Sequence, residues 1–216
     1  MKNFVASYSG GKDSILAIDK AIAAGYQPSQ LITTFNPDKQ RSWFHGLTSP
    51  ILQLVENSMQ IPIQKIVTTA TTYSENFEVG LAEAWQLGAK ICVFGDIDII
   101  SHLQWCITRC DNVGIKPYFP LWNKNRKELV HEFINLGYKA RITIVNTTLL
   151  DARFLGELLT HQLVDEIEAS GADPCGENGE YHTFVYDGPL FNKPLAIKYL
   201  EKIEQGEYVI LPYEPL

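Results

Sequence analysis

Ser9-Gly10-Gly11-Lys12-Asp13-Ser14 follows a short apolar run, Phe4-Val5-Ala6-Ser7-Tyr8, and leads into an apolar-periodic segment, Ile15 to Ala24. That order reads as a strand, a tight glycine turn and the first turn of a helix. Such a turn holds anions well. Glycines let the backbone come close to a phosphate, and the free N–H groups and positive dipole end of the helix point at it. Lys12 adds a mobile point charge, and Ser9 and Ser14 add hydroxyl donors. Asp13 would repel a phosphate unless a divalent cation lay between them, which points to Mg²⁺. The arrangement is not the G-x-x-x-x-G-K-[ST] loop, because the lysine follows a glycine pair directly and an aspartate comes next.

Working outward from that turn, strand and helix signals alternate. Gly25 and Pro28 close the first helix, and Leu31 to Phe35 is rich in β-branched residues and reads as a second strand. Lys39 to Ser49, with Arg41, Trp43 and His45, has little periodicity and reads as a loop near a ligand. Helical spacing returns over Ile51 to Met59 and Glu75 to Leu87, with a strand at Ile63 to Val67 between them. Ile91-Cys92-Val93-Phe94 is wholly apolar, as a central parallel strand should be. The alternation predicts a doubly wound parallel α/β sheet whose ligands bind at the carboxyl ends of the strands. Gly95-Asp96 follows one such end. Gly95 would permit close backbone approach, and Asp96 could hold Mg²⁺ or a ribose hydroxyl, its plainer role being a helix N-cap or turn. Further helices are expected from Ser101, as N-cap, to Cys110 and over Asn125 to Leu136. A strand is expected over Ala140 to Asn146, and a solvated helix face around Asp151, Arg153 and Glu157.

The chain has 216 residues, 45% hydrophobic and 20% charged, which is enough to bury a sizeable core as one large domain or two small ones. No run of about 18 apolar residues is present, so no membrane span is expected. The start, Met1-Lys2-Asn3-Phe4, lacks the apolar core of a signal peptide, and a cytoplasmic location is expected. Cys92, Cys106, Cys110 and Cys175 form no CxxC pair and read as reduced thiols. A net charge of −7 argues against a nucleic-acid partner, because phosphate contacts dominate that kind of affinity.

A second dense stretch is Asp173-Pro174-Cys175-Gly176-Glu177-Asn178-Gly179-Glu180-Tyr181-His182-Thr183. On a strand starting near Gly179, Glu180 and His182 would face one side and Tyr181 and Thr183 the other. A carboxylate and an imidazole on one face can bind a cation, hold an amine or relay a proton. The plainer alternative is a polar turn leading into an edge strand.

Ser9 to Ser14 resembles the SGGxDS signature of the PP-loop pyrophosphatases, which cleave ATP between its α and β phosphates and form adenylates. With Gly95-Asp96-Ile97, Pro120-Leu121-Trp122, Gly176-Glu177-Asn178-Gly179-Glu180-Tyr181-His182-Thr183 and Asp187-Gly188-Pro189-Leu190-Phe191 in that order, the chain resembles the diphthine–ammonia ligase family, in particular its short bacterial-type members. The resemblance covers nearly the whole length. It implies a PP-loop (HUP-type, Rossmann-like) ATP-binding domain, set at residues 1–138. A smaller C-terminal α+β substrate domain would occupy 139–216, with the substrate site in the cleft between the two. It implies ATP and Mg²⁺, with Ser9, Gly10, Gly11, Lys12, Asp13, Ser14, Gly95 and Asp96 on the nucleotide and Asp13 and Asp96 on the metal. Glu177, Asn178, Glu180, Tyr181, His182 and Thr183 would line the acceptor or ammonia side. The catalytic set is expected to be Lys12, Asp13, Glu180 and His182. Ammonia would amidate an adenylated carboxylate, carried on an elongation-factor-like protein, and a homo-oligomer is compatible. The rival readings are a tRNA-modifying PP-loop ligase and an ATP or AMP sensor without turnover.

Overall fold

The structure, a computed structural model, describes residues 2–216; Met1, where the expected first domain begins, lies outside the described residues. By internal contacts the chain forms two units. One comprises residues 2–9 and Asp13–Asn123, the other Gly10–Lys12 and Lys124–Leu216.

The first unit alternates as its apolar periodicity requires. Its elements are β1 (Asn3–Ser7), α1 (Lys12–Ala23), β2 (Gln27–Asn36), β3 (Arg41–Ser42), α2 (Ser49–Met59), β4 (Ile63–Val67), α3 (Tyr73–Gln86), β5 (Ala89–Val93), α4 (Ile100–Val113) and β6 (Lys116–Tyr118). The strands β4, β2, β1, β5 and β6 pair in that order, all parallel, and β3 adds a short antiparallel pairing to the end of β2. The chain runs outward from β1 through β2 to β4, then returns to β5 and on to β6. The order therefore reverses at β1, which makes the carboxyl ends of β1 and β5 the switch point where doubly wound sheets bind ligands. This is the expected α/β architecture. Its core packs Val5, Ile32, Phe77, Leu81, Cys92, Phe94, Cys106 and Cys110 between sheet and helices. Burying a side chain such as Phe77 contributes about 2–3 kcal/mol. Helices α1 and α4 close on Gly25 and Gly114 at positive φ, as glycine C-caps do.

The second unit holds α5 (Arg126–Asn135), β7 (Lys139–Asn146), a 3₁₀ turn (Ala152–Phe154), α6 (His161–Ala169), β8 (Tyr181–Asp187), β9 (Ile197–Tyr199), β10 (Ile203–Gln205), β11 (Tyr208–Ile210) and β12 (Tyr213–Pro215). An antiparallel sheet runs β10–β11–β7–β8, and β12 pairs with β9. The unit is α+β. By contacts it starts at Lys124, whereas the sequence expectation started it at 139; the difference is α5, which packs on α6.

Two local expectations fail. The N-cap of α4 is the extended Ile99, with no side-chain cap, and Ser101 lies inside the helix. The helix face expected around Asp151, Arg153 and Glu157 is instead a 3₁₀ turn capped by Asp151, followed by extended chain. Gly156 N–H donates to Ile142 C=O (2.8 Å), and Leu159 N–H donates to Ala140 C=O (2.9 Å). Pairing with β7 thus overrides any helical tendency of this stretch. The true helix, α6, begins after Thr160, whose hydroxyl accepts from Leu163 N–H. Among the described residues no helix is long and apolar enough to cross a membrane.

Candidate active site

In the first unit, Ser9 Oγ donates to Ser14 Oγ at 3.3 Å, which ties the two ends of the glycine loop together. Gly95 leaves β5 so close to the start of α1 that an added Cβ would lie 2.8 Å from the carbonyl carbon of Asp13 and 2.9 Å from Ser14 N. Real Cβ atoms do not approach backbone that closely, so only glycine fits. This approach sets Asp96 beside the amino end of α1, where anions are favoured. The Asp96 carboxyl is held above the usual carboxylate range, chiefly by burial. The neighbouring His102 and the Cys106 thiol partly offset that, while the Asp13 charge adds to it. His102 Nδ1 lies 3.7 Å from Asp96 Oδ1, and Cys106 Sγ donates to Asp96 Oδ2 at 3.8 Å. Both come from α4, one turn apart. Burial and the Asp96 charge push the Cys106 thiol far up, so it is a donor and not a nucleophile.

In the second unit, Lys12 is 5% exposed, and its surroundings come from the second motif. Its ammonium donates to Cys175 C=O and lies 5.3 Å from the centroid of the Tyr181 ring, while its backbone N–H donates to Thr183 Oγ1 at 3.1 Å. Val185 N–H donates to Gly10 C=O at 3.0 Å. The lysine of the glycine loop and the GENGEYHT segment are therefore one assembly. Tyr181 and Thr183 share the face expected from strand alternation, and His182 on the opposite face is half-buried.

Glu180 is held by its own loop. It is buried, and its Oε1 accepts from Asp173 N–H (3.1 Å) and Asn178 Nδ2 (3.1 Å) while its Oε2 accepts from Asn178 N–H (3.0 Å). These donors come from its own loop, so the carboxylate organises residues 173–180. Gly176 turns at φ 73°, with no room for a Cβ against Tyr181 C=O (2.9 Å). Asp173 does the same from the other end of the loop, accepting from Cys175 N–H (3.1 Å) and Glu177 N–H (2.9 Å).

Sequence reasoning missed Arg126, whose guanidinium reaches Asp173 Oδ2 (2.6 Å) and Asn178 Oδ1 (3.2 Å) from the first turn of α5. It also missed His102 and Cys106. Their i, i+4 spacing on a predicted helix behind Gly95-Asp96 was the available signal.

Comparison with known proteins agrees with this two-part layout. Residues 1–117 match the diphthamide synthase N-terminal domain, and residues 125–212 match the diphthamide synthase C-terminal domain. A diphthine–ammonia ligase from Mus musculus is 27% identical over 96% of this chain and 87% of its own length. Its counterpart from Homo sapiens is 26% identical over 89% of this chain and 81% of its own length. A solved structure from Methanocaldococcus jannaschii DSM, titled a "predicted subunit of tRNA methyltransferase", aligns at TM-score 0.49 and 15% identity over 89% of this chain and 100% of that one. That last likeness is too distant to bear on function. With a family match over each half, residues 1–117 and 125–212, the chain belongs to the diphthamide synthase family.

Proposed function

We propose that this chain is an ATP-dependent amidating ligase that joins ammonia to the carboxylate of diphthine or a close chemical relative. The observation that carries the reading is the placement of Lys12 against Cys175, Tyr181 and Thr183. A charge suited to a phosphate is thereby held by the segment that the family resemblance gives to the acceptor side. ATP is a substrate here. A carboxylate oxygen of the acceptor attacks the α phosphorus, the bond to the bridging oxygen breaks, and pyrophosphate leaves. Negative charge builds on that leaving group, and the N–H groups of Gly10 and Gly11, the Ser9 and Ser14 hydroxyls and the Lys12 ammonium are suited to stabilise it. Ammonia then attacks the acyl carbon, and AMP departs.

Asp13 and Asp96 offer hard oxygen donors of the kind Mg²⁺ prefers, and the Asp13 charge adds a little to the upward push that burial puts on the Asp96 carboxyl. Mg²⁺ held there would neutralise phosphate charge. His182 takes the proton that the attacking nitrogen sheds. Glu180 holds the loop instead, and Glu177 and Asn178 present the acceptor side. The division of labour is a nucleotide domain followed by a substrate domain.

The test is AMP and pyrophosphate formation from ATP with Mg²⁺ and ammonium, with and without a diphthine-bearing elongation factor. Acceptor-dependent AMP formation that disappears in Lys12→Ala supports the ligase. ADP in place of AMP, or ATP binding without any turnover, sinks it and leaves the sensor.

A further inference from the structure

The 173–180 loop is over-determined for a loop that only presents side chains to a substrate. Two buried carboxylates sit at its ends, Asp173 and Glu180, and between them they accept from the backbone N–H groups of residues 173, 175, 177 and 178. Gly176 N–H donates to Asp173 C=O (3.0 Å), Gly179 N–H to Gly176 C=O (3.1 Å), and the Tyr181 hydroxyl to Pro174 C=O (2.6 Å). The outcome of this bonding is the direction of one carbonyl, that of Cys175, which receives the Lys12 ammonium. Arg126 fixes the assembly from outside. It is anchored at the start of α5, where Asn125 caps the helix by accepting from Glu128 N–H (3.0 Å). Its guanidinium bridges Asp173 and Asn178, joining the two halves of the loop. A guanidinium can span two acceptors in fixed geometry, which a lysine ammonium does less well.

We propose that Arg126 and Asp173 are positioning residues for Lys12. The Arg126–Asp173 ion pair sets the Cys175 carbonyl, and that carbonyl, together with the Tyr181 ring, sets where the lysine charge stands. This rests on the reading above that Lys12 meets the leaving pyrophosphate. Through it, the segment that distinguishes the family acts on the motif shared by the whole superfamily. The acceptor-side loop thus tunes the phosphate-side charge, in addition to any contact of its own with a substrate.

The experiment uses the full chain as Arg126→Ala, Arg126→Lys and the near-isosteric Asp173→Asn, each alone and combined with Lys12→Met. One readout is independent of catalysis. Lysines are acylated with limiting acetic anhydride, and Lys12 modification is compared by peptide mass spectrometry with that of the exposed Lys39 and Lys202. Arg126→Ala and Asp173→Asn are expected to raise Lys12 labelling several-fold relative to those references, with Arg126→Lys in between. The second readout is AMP formation, expected to fall ~10–100-fold in kcat, as displacement of a positioned group by about 1 Å does. No further loss is expected when the same changes are made in Lys12→Met. Unchanged Lys12 labelling in Asp173→Asn, or losses that add fully to that of Lys12→Met, would overturn the proposal. If the wild type forms no AMP, the ligase reading fails, and the labelling arm alone still decides whether Arg126 and Asp173 place the lysine.

Discussion

Asp96 and Glu180 are both carboxylates beside a glycine, both close to a motif, and both withdrawn from water, yet they are held in opposite ways. Glu180 has three N–H donors of its own loop on its two oxygens. Asp96 has a thiol at 3.8 Å and an imidazole at 3.7 Å, and burial holds its carboxyl above the usual range. A saturated carboxylate stabilises the fold where it sits. A desolvated, loosely partnered one costs the fold something and stays available to a ligand. Glu180 is thus taken up by its own loop, while Asp96 is the carboxylate that the proposed function gives to a ligand.

The largest effect expected from that contrast is on stability. Glu180→Ala leaves three donors without their acceptor in a buried loop, at a cost of ~3 kcal/mol. For a chain of this size that lowers Tm by ~6–12 °C. Glu180→Gln recovers only part of it, because its amide nitrogen would face the Asn178 N–H or the donors at the other oxygen. Asp96→Ala should leave Tm within a few degrees of wild type while removing AMP formation. Thermal unfolding by circular dichroism beside an AMP assay separates the two. An unaltered Tm in Glu180→Ala, with activity lost, would return Glu180 to the reacting groups.

Next in size is the glycine that places Asp96. Gly95→Ala puts a methyl 2.8–2.9 Å from the backbone of Asp13 and Ser14, and neither strand end nor helix start can yield cheaply. About 1–3 kcal/mol of destabilisation is expected from such overpacking. A disproportionate loss of ATP binding should accompany it, measured by calorimetric titration. Gly25→Ala is the control. It has positive φ but nothing within 4 Å, so it should cost stability without touching nucleotide affinity.

The third expectation concerns pH. A carboxyl whose folded pKa is raised binds its proton more tightly in the native state than in the unfolded chain. Stability then falls as pH rises, starting near the unfolded value of 3.8 and levelling off above the folded value. Asp96→Asn removes that term. In metal-free buffer the variant should gain on wild type as pH climbs from 4 towards neutrality, with the two converging in acid. A parallel pair of Tm-against-pH curves would mean that Asp96 is not desolvated in solution.

Much of this was legible in the chain. The Ser9–Ser14 turn, the apolar β5 and the glycine stops set the parallel sheet, since each depends on neighbours in sequence. The 149–159 stretch was misjudged because its conformation is decided by Ala140 and Ile142 across the sheet. The surroundings of Glu180 were not legible for a related reason. Its residue type suggests acid–base work, while its role depends on which N–H groups surround it, and those are set by the closure of the 173–180 loop. Arg126 lies 47 residues from the aspartate it binds, and no local pattern announces such a pair.

The smallest expected effect tests the loosest bond in the comparison. If Asp96 is tuned by the Cys106 thiol, then Cys106→Ser and Cys106→Ala should diverge, although both remove the sulfur from the same buried position. The serine hydroxyl is the stronger donor and favours the ionised carboxylate, so Asp96 should move down towards its ordinary value. The alanine has no donor, and Asp96 should move further up. Packing losses are nearly common to both variants, so their difference isolates the hydrogen bond, worth about 0.5–1.5 kcal/mol. Carbon-detected titration of the Asp96 carboxyl in the two variants reads the direction directly. Identical titrations would show that the 3.8 Å contact is packing alone, and that burial and His102 by themselves govern the carboxylate.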